Sequence, residues 1–374
     1  LARTSNQFPN VLVIDDRIPH PSLGSGYPRA AHFVNSIDEL ELNVSFYPLQ
    51  FPHENWEASY GTLKSTIEIV MDEGREGLRS FLASRKKFYK YIIVSRAHNM
   101  AFFNEIIDSD PSLKAGTKII YDAEALTAPR EILQKQIRQE LIPKIIQDEM
   151  VEKEIRQASV ADLVIAVSNK EAAIYRKHGV KNILVLGHTI HVSAGPKNFQ
   201  DREGLLFVGA LRDEGSPNVD SLLWFIINVL PYIEESIPDI KLYVVGDKSA
   251  PSLTSIEKPN ISFMGRLETL DDIYNDRRVF IAPTRFAAGI PHKVHEAAAV
   301  GIPCVATPLL AHQLDWQHEK ELLAGVDPED FANQCLRLYK DERLWGSIRN
   351  AGLTSVAKDC SVENFWRNLN FIFD

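Results

Sequence analysis

Short apolar runs of strand length alternate with amphipathic stretches along the whole chain. Residues 11–14, 44–47, 91–94, 118–121 and 163–167 are such runs, rich in Val and Ile. Between the first two, Phe33, Ile37 and Leu40 recur close to a helical period. Nearly continuous apolar strands separated by helices predict a parallel sheet covered on both faces. Residues 129–158 predict one long charged amphipathic helix or a helix pair. Six Lys/Arg and six Asp/Glu balance there, so the segment reads as a solvated face rather than a membrane surface. At 192–203 the periodicity stops. That stretch is polar, contains Gly195 and Pro196, and reads as a linker. The alternation then restarts, with strands expected at 205–209, 242–246, 261–264, 279–282 and 304–306 and helices at 218–233 and 293–300.

The pattern predicts an α/β chain of two Rossmann-like, doubly wound domains. The first spans 1–191, a linker covers 192–203, and the second spans 204–360. The last segment, 361–374, carries Phe365, Leu369 and Phe373 at helical spacing. It predicts a helix that leaves the second domain and packs back on the first. Ligands of doubly wound sheets sit outside the carboxyl ends of the strands, so the two domains are expected to face each other across a cleft.

Composition removes whole classes of function. At 374 residues, 45% hydrophobic and 24% charged, the chain can bury a core without staples and is not intrinsically disordered. No apolar run approaches the ~18 residues of a membrane span. The three cysteines, Cys304, Cys335 and Cys360, are far apart and form neither a disulfide framework nor a zinc site. A net charge of −9 argues against general binding to nucleic acid. The chain starts at Leu1 without a basic-then-apolar leader, which predicts a piece of a longer protein. Ile14 is followed by Asp15-Asp16-Arg17 instead of a glycine fingerprint, which excludes a dinucleotide oxidoreductase. As adjacent residues at a strand end, Asp15 and Asp16 are expected to point in different directions and not to share a metal.

The richest chemistry lies in 283–307. A strand ends at Ala282, a loop with Gly289, Ile290 and Pro291 follows, and a helix starts there. The free N–H groups and positive dipole end of that helix suit an anion. Lys293 lies in its first turn, where a cation is disfavoured unless an anion is present. Glu296, three residues on, shares its face. A cation for phosphate and an acid for ribose hydroxyls suit a nucleoside diphosphate.

Residues 283–307 resemble the nucleotide-sugar signature of GT-B glycosyltransferases, most closely the GT4-type group. Glu296 matches the second acid of that pattern, and Gly301-Ile-Pro-Cys-Val-Ala306 matches its strand. The first acid falls at Ala288 and is missing. The resemblance extends to Phe207-Val-Gly209 with Pro217-Asn-Val-Asp220, to the strand ending at Gly246, and to Phe263-Met-Gly-Arg266. It implies that Arg212 contacts the diphosphate, that the backbone of Gly265 and Arg266 faces the base, and that Gly24 and Gly26 line the donor phosphate and acceptor. Asp122 and Glu124 fall where the first domain would line the cleft, and they are the candidates for a proton acceptor. His98 is equally a surface residue or an acceptor contact.

The resemblance implies a metal-independent, retaining transfer from a nucleotide-diphosphate sugar, without a cofactor, to a glycan or lipid-linked acceptor in bacterial surface polysaccharide synthesis. Arg212 and Lys293 would stabilise the leaving diphosphate. The transferred sugar is expected to be a hexose or deoxyhexose, and Ala288 in place of an acid favours a donor that lacks or reorients the hydroxyl read there, such as a deoxyhexose. The implied location is cytoplasmic, peripheral at the inner membrane face. Two alternatives stay open: a nucleotide-sugar epimerase, and an idle glycan- or partner-binding domain of a larger protein.

Overall fold

The computed structural model describes residues 8–24 and 26–374. Residues 1–7, where a leader was sought, and Ser25 of the glycine loop lie outside the described residues. The chain divides into two compact units. The first runs up to Pro129 and also holds Ile142–His188 and Phe365–Asp374; the second holds Arg130–Leu141 and Thr189–Asn364.

The first unit is built on a seven-stranded sheet. Its strands are β1 (Asn10–Asp15), β2 (Asn43–Pro48), β3 (Glu68–Ile69), β4 (Tyr91–Ser95), β5 (Lys118–Asp122), β6 (Leu163–Ala166) and β7 (Ile183–Val185). They pair in the order β3-β2-β1-β4-β5-β6-β7, every pair parallel. β3 and β7 were not expected; with two and three residues they are too short to show an apolar run. Side chains alternate between faces along a strand. Leu12 and Ile14 therefore enter one core with Val94, Phe103 and Tyr121, while Val11 and Val13 enter the other with Phe33, Ile93 and Leu369. Burial on both faces is why these strands read as unbroken apolar runs. The charged stretch after residue 128 is a helix pair, Ala128–Ile137 and Lys144–Ile155, separated before Pro143.

The second unit holds a six-stranded sheet of β8 (Glu203–Val208), β9 (Leu242–Val245), β10 (Ile261–Gly265), β11 (Arg277–Ala282), β12 (Cys304–Ala306) and β13 (Leu323–Ala324). Its order is β10-β9-β8-β11-β12-β13, again wholly parallel. The single helix expected over 218–233 is broken. Pro217–Trp224 passes through a π-helical turn, Phe225–Val229, into Leu230–Ser236. Pro231 has no N–H to give the preceding turn, and its ring crowds the carbonyl four residues back. Cys304, Cys335 and Cys360 are buried, and none of them forms a disulfide among the described residues. No helix among the described residues is long and apolar enough to cross a membrane.

The last helix is Val362–Phe373. Its buried stripe is Phe365, Leu369 and Ile372, packed in the core with Val11, Val13 and Phe33; Phe373, expected in that stripe, is only partly buried. Polar contacts fix its end. Tyr91 Oη donates to the Phe373 carbonyl (2.6 Å), Lys118 Nζ to that of Ile372 (3.0 Å), and Asn368 Nδ2 to that of Val185 (2.9 Å). Leu369 is fully buried. Leu369→Ala should lower unfolding free energy by about 2–4 kcal/mol in urea titrations, the ordinary cost of a leucine-sized cavity.

Candidate functional site

Each sheet reverses its strand order once, between β1 and β4 in the first unit and between β8 and β11 in the second. At such a reversal the connections leave in opposite directions, and a crevice opens beyond the strand ends. A cluster of charged side chains lies at each.

In the first unit the centre is Arg96, the residue after β4. Its Nε lies 2.8 Å from Asp15 Oδ1 and 3.3 Å from Asp16 Oδ2, and its Nη1 lies 2.7 Å from Glu124 Oε2. The ring of Tyr27 lies under the guanidinium, 4.8 Å from its centroid. Arg96 holds φ +75° and Glu124 φ +55°, conformations that cost a non-glycine residue roughly 1–3 kcal/mol and recur at functional sites. Asp16 is further held by His98 Nε2 (2.5 Å) and Asn99 Nδ2 (2.9 Å), and Gln50 donates to Asn99 Oδ1 (2.8 Å). Arg96 Nη2 is buried and has no hydrogen-bond partner among the described residues.

Three carboxylates around one guanidinium cannot all ionise cheaply. Burial, opposed by Arg96 and reinforced by the charges of Asp15 and Asp122, pushes Glu124 up to about 7. Burial also raises Asp15. Burial acts upward on Asp16 too, but the His98 hydrogen bond and the Arg96 charge outweigh it and hold Asp16 below the usual carboxylate range. Glu124 is thus a carboxyl that exchanges a proton near neutral pH.

Asp122 has a different place. Both its oxygens accept from Arg29, at 2.9 and 3.0 Å, and Arg29 also donates to the Leu186 carbonyl. Arg29 and Asp122 are 5% and 1% exposed. This closed pair fixes the end of β5 and leaves Glu124 as the acid in the crevice. Gly26 explains itself by contact: a Cβ there would lie 1.4 Å from Glu124 Oε1. Gly24 takes a left-handed φ of +72° beside open space. The expectation that Asp15 and Asp16 diverge is corrected, because β1 ends at Asp15 and the turn that follows brings both acids to Arg96.

In the second unit the centre is Lys293, in the first turn of the helix His292–Ala299. Its Nζ donates to Asn218 Oδ1 at 2.8 Å and lies 4.9 Å from the Phe207 ring centroid. It has no carboxylate partner among the described residues. Burial lowers its pKa from 10.5 to about 8, a desolvation cost on the order of 3 kcal/mol. Glu296 does not pair with Lys293; it lies 3.1 Å from His292 Nδ1, one turn back. Arg285 grips Asp220 with two hydrogen bonds (2.9 and 2.5 Å), and Gln313 donates to the Ala287 carbonyl, so the loop before the helix is tied down. Gly289 in that loop holds φ +73°, and Ile290 is half-buried.

The other strand ends converge on the same region. Gly246 after β9 approaches β8 so closely that a Cβ would lie 1.9 Å from the Gly209 carbonyl oxygen. Its N–H donates to the Gly265 carbonyl (2.8 Å). Gly265 is left-handed with open space around it, and Arg266 is exposed. Arg212 is exposed and paired with Asp247 (3.0 Å). His295 is buried against Cys360 and Trp316, and burial pushes it down to about 3, so it stays neutral. The sequence pattern gives no role to Arg96, Arg29, Asn218 or Arg285, although Asn218 lies within Pro217-Asn-Val-Asp220 and Arg285 within residues 283–307.

Two parallel-sheet units with these crevices are the GT-B fold of glycosyltransferases, and solved structures of that class match the chain almost end to end. Sucrose-phosphate synthase from Thermosynechococcus elongatus is 14% identical with a TM-score of 0.71, covering 98% of each chain. A glycosyltransferase from Rickettsia africae is 12% identical with a TM-score of 0.69, covering 98% of each chain. Anabaena HepE, solved with UDP and glucose, is 12% identical with a TM-score of 0.67, covering 97% of this chain and 99% of its own. Residues 202–341 match the family model of glycosyl transferases group 1, so the resemblance is borne out in fold and, over that segment, in sequence. No curated protein matches the chain.

The two acids of the first unit should respond differently to neutralisation. Asp122→Asn strands a buried guanidinium and should cost about 3–5 kcal/mol in urea unfolding. Glu124→Gln replaces a carboxyl already half-protonated near pH 7 and should cost less than about 1 kcal/mol.

Proposed function

We propose that the protein is a glycosyltransferase that moves a sugar from a nucleotide-diphosphate sugar to a glycan or lipid-linked acceptor. The observation that carries this reading is Lys293. An ammonium desolvated at the positive end of a helix, with no counter-charge, is unfavourable alone and favourable with a diphosphate. The reading is supported by the family match around it and by the relative solved with UDP and glucose.

In this reading Lys293 and the helix start bind the diphosphate and gain strength as negative charge builds on it during departure. This supplies the positive field without a metal or other cofactor. Arg212, released from Asp247, adds to it. Glu296 accepts from the ribose hydroxyls, Gly289 and Ile290 present backbone N–H groups, and Gly265 with Arg266 borders the base. In the first unit Gly24 leaves room for the acceptor, Gly26 leaves room for the Glu124 carboxyl, Arg96 Nη2 donates to a ligand oxygen, and Glu124 takes the acceptor hydroxyl proton. Transfer with retention follows from the GT4-type resemblance. Ala288, a methyl where that group carries an acid, tolerates a deoxygenated sugar edge, since a carboxylate there would be desolvated and unpaired. A deoxyhexose donor and a role in bacterial surface polysaccharide synthesis, at the cytoplasmic face of the membrane, complete the proposal.

Calorimetry with UDP, GDP and CMP tests the donor site. One nucleotide should bind, and Glu296→Ala should weaken it by about 1.5–3 kcal/mol with melting temperature unchanged. Unchanged affinity would remove Glu296 from the site. Lys293→Ala should lower kcat more than it weakens nucleoside binding.

The pH dependence follows from the lowered Lys293. Below about pH 8 the free ammonium is charged and affinity should be flat. Above it, affinity should fall up to tenfold per pH unit. Binding at pH 8.5 should take up a proton, read by calorimetry in buffers of different ionisation enthalpy. Lys293→Met should abolish that uptake.

A further inference from the structure

β2 leads into an aromatic outcrop that the donor chemistry does not use. The chain leaving β2 is tied to the acid cluster through its backbone. Leu49 N–H donates to the Asp15 carbonyl (2.8 Å), and Gln50 and Phe51 N–H both donate to the Asp16 carbonyl (2.8 and 2.9 Å). The helix Trp56–Thr62 follows, capped by Asn55, whose side chain accepts from the Ala58 N–H. Trp56 and Tyr60 stand one turn apart on it, ring centroids 5.9 Å apart and planes within 20°. Trp56 is 51% exposed, Tyr60 38% and Phe51 53%.

The outcrop is held in shape by polar contacts. The Arg17 guanidinium covers one face of Phe51 at 4.9 Å and pairs with Glu54 at 2.7 Å. Glu54 lies 3.4 Å from His20 Nε2, and His20 Nδ1 lies 2.6 Å from Thr62 Oγ1 at the helix end. His53 pairs with Asp72 at 2.7 Å beside it. Three large aromatic side chains are therefore ordered yet left in water, the mark of an interaction surface. Aromatic faces of this kind gain most from a flat apolar partner.

We propose that Trp56, Tyr60 and Phe51 form a stacking platform for sugar rings of the acceptor glycan, a subsite reaching outward from the acid cluster. The proposal rests on the glycosyltransferase reading. A pyranose ring presents an apolar C–H face and a rim of hydroxyls. The exposed rings match the face, and the exposed carboxylates of Glu57 and Asp72 match the rim. The same two acids disfavour a bilayer, because anionic headgroups would meet like charge. The backbone bonds from Gln50 and Phe51 to Asp16 make the platform continuous with the cluster where the acceptor hydroxyl would react. A longer acceptor is then held at both ends.

The test labels the full chain with 5-fluorotryptophan and follows the Trp56 resonance, identified by Trp56→Phe. The ligands are maltotetraose, cellotetraose and chitotetraose. At least one should shift that resonance saturably, and the Trp56→Ala/Tyr60→Ala double variant should bind it about tenfold more weakly or worse, ~1.4 kcal/mol. Melting temperature and nucleoside diphosphate affinity should not move. In transfer assays the double variant should raise acceptor KM for tetrasaccharides more than for monosaccharides, with donor KM unchanged. A Trp56 resonance that moves in a protein without transferase activity overturns the glycosyltransferase reading and leaves the platform standing. Transfer with an unmoved Trp56 resonance and an unchanged acceptor KM overturns the platform. Movement only on phosphatidylcholine–phosphatidylglycerol vesicles, or no movement with any ligand, overturns it as well.

Discussion

Parallel pairing places every strand end of a sheet at one edge, and the single reversal of strand order decides where that edge opens. Both consequences hold in each unit. Asp15 ends β1, Arg96 follows β4, and these two strands flank the reversal of the first sheet. Gly209 follows β8, the loop to Lys293 follows β11, and these flank the reversal of the second. The charged side chains of these two clusters lie where the backbone withdraws and polar groups can be partly desolvated without being enclosed.

The two crevices solve the problem of buried charge in opposite ways. In the first, one guanidinium faces three carboxylates, and burial, reinforced by the charges of Asp15 and Asp122, makes Glu124 easy to protonate. In the second, one ammonium has, among the described residues, a neutral amide and a phenyl ring as its neighbours. The first crevice is therefore suited to handling a proton, and the second to receiving an anion.

Much of the fold was legible because it rests on hydrophobic runs. Strands buried on both faces, such as β1 and β4, announce themselves. β3, β7 and β13 do not, because two or three residues carry no period. The π turn at Phe225–Val229 was signalled by Pro231 but hidden by the unbroken apolar spacing around it. At the sites, Lys293 and Glu296 were legible from a short local pattern of loop, proline and helix. Their separate partners were not, since Lys293 donates to Asn218, 75 residues away, and Glu296 lies against His292. Arg96 gave no signal at all. Its role depends on a positive φ and on acids from two other strands, which only the folded sheet assembles. Asp122 and Glu124 looked alike in sequence; Arg29, on a helix far back in the chain, separates them.

We propose that the protein transfers a sugar from a nucleotide diphosphate, with Lys293 on the donor and Glu124 on the proton. The most direct measurement incubates the protein with UDP-, GDP- and dTDP-linked hexoses and deoxyhexoses together with maltotetraose, cellotetraose and chitotetraose as acceptors, and follows the mixture by phosphorus and proton NMR. The account predicts that one donor releases its nucleoside diphosphate, with a new anomeric proton resonance, and that Glu124→Gln slows the release while leaving donor affinity intact. If no nucleotide sugar is consumed, or if release is equally fast in Glu124→Gln and Lys293→Met, the account is contradicted.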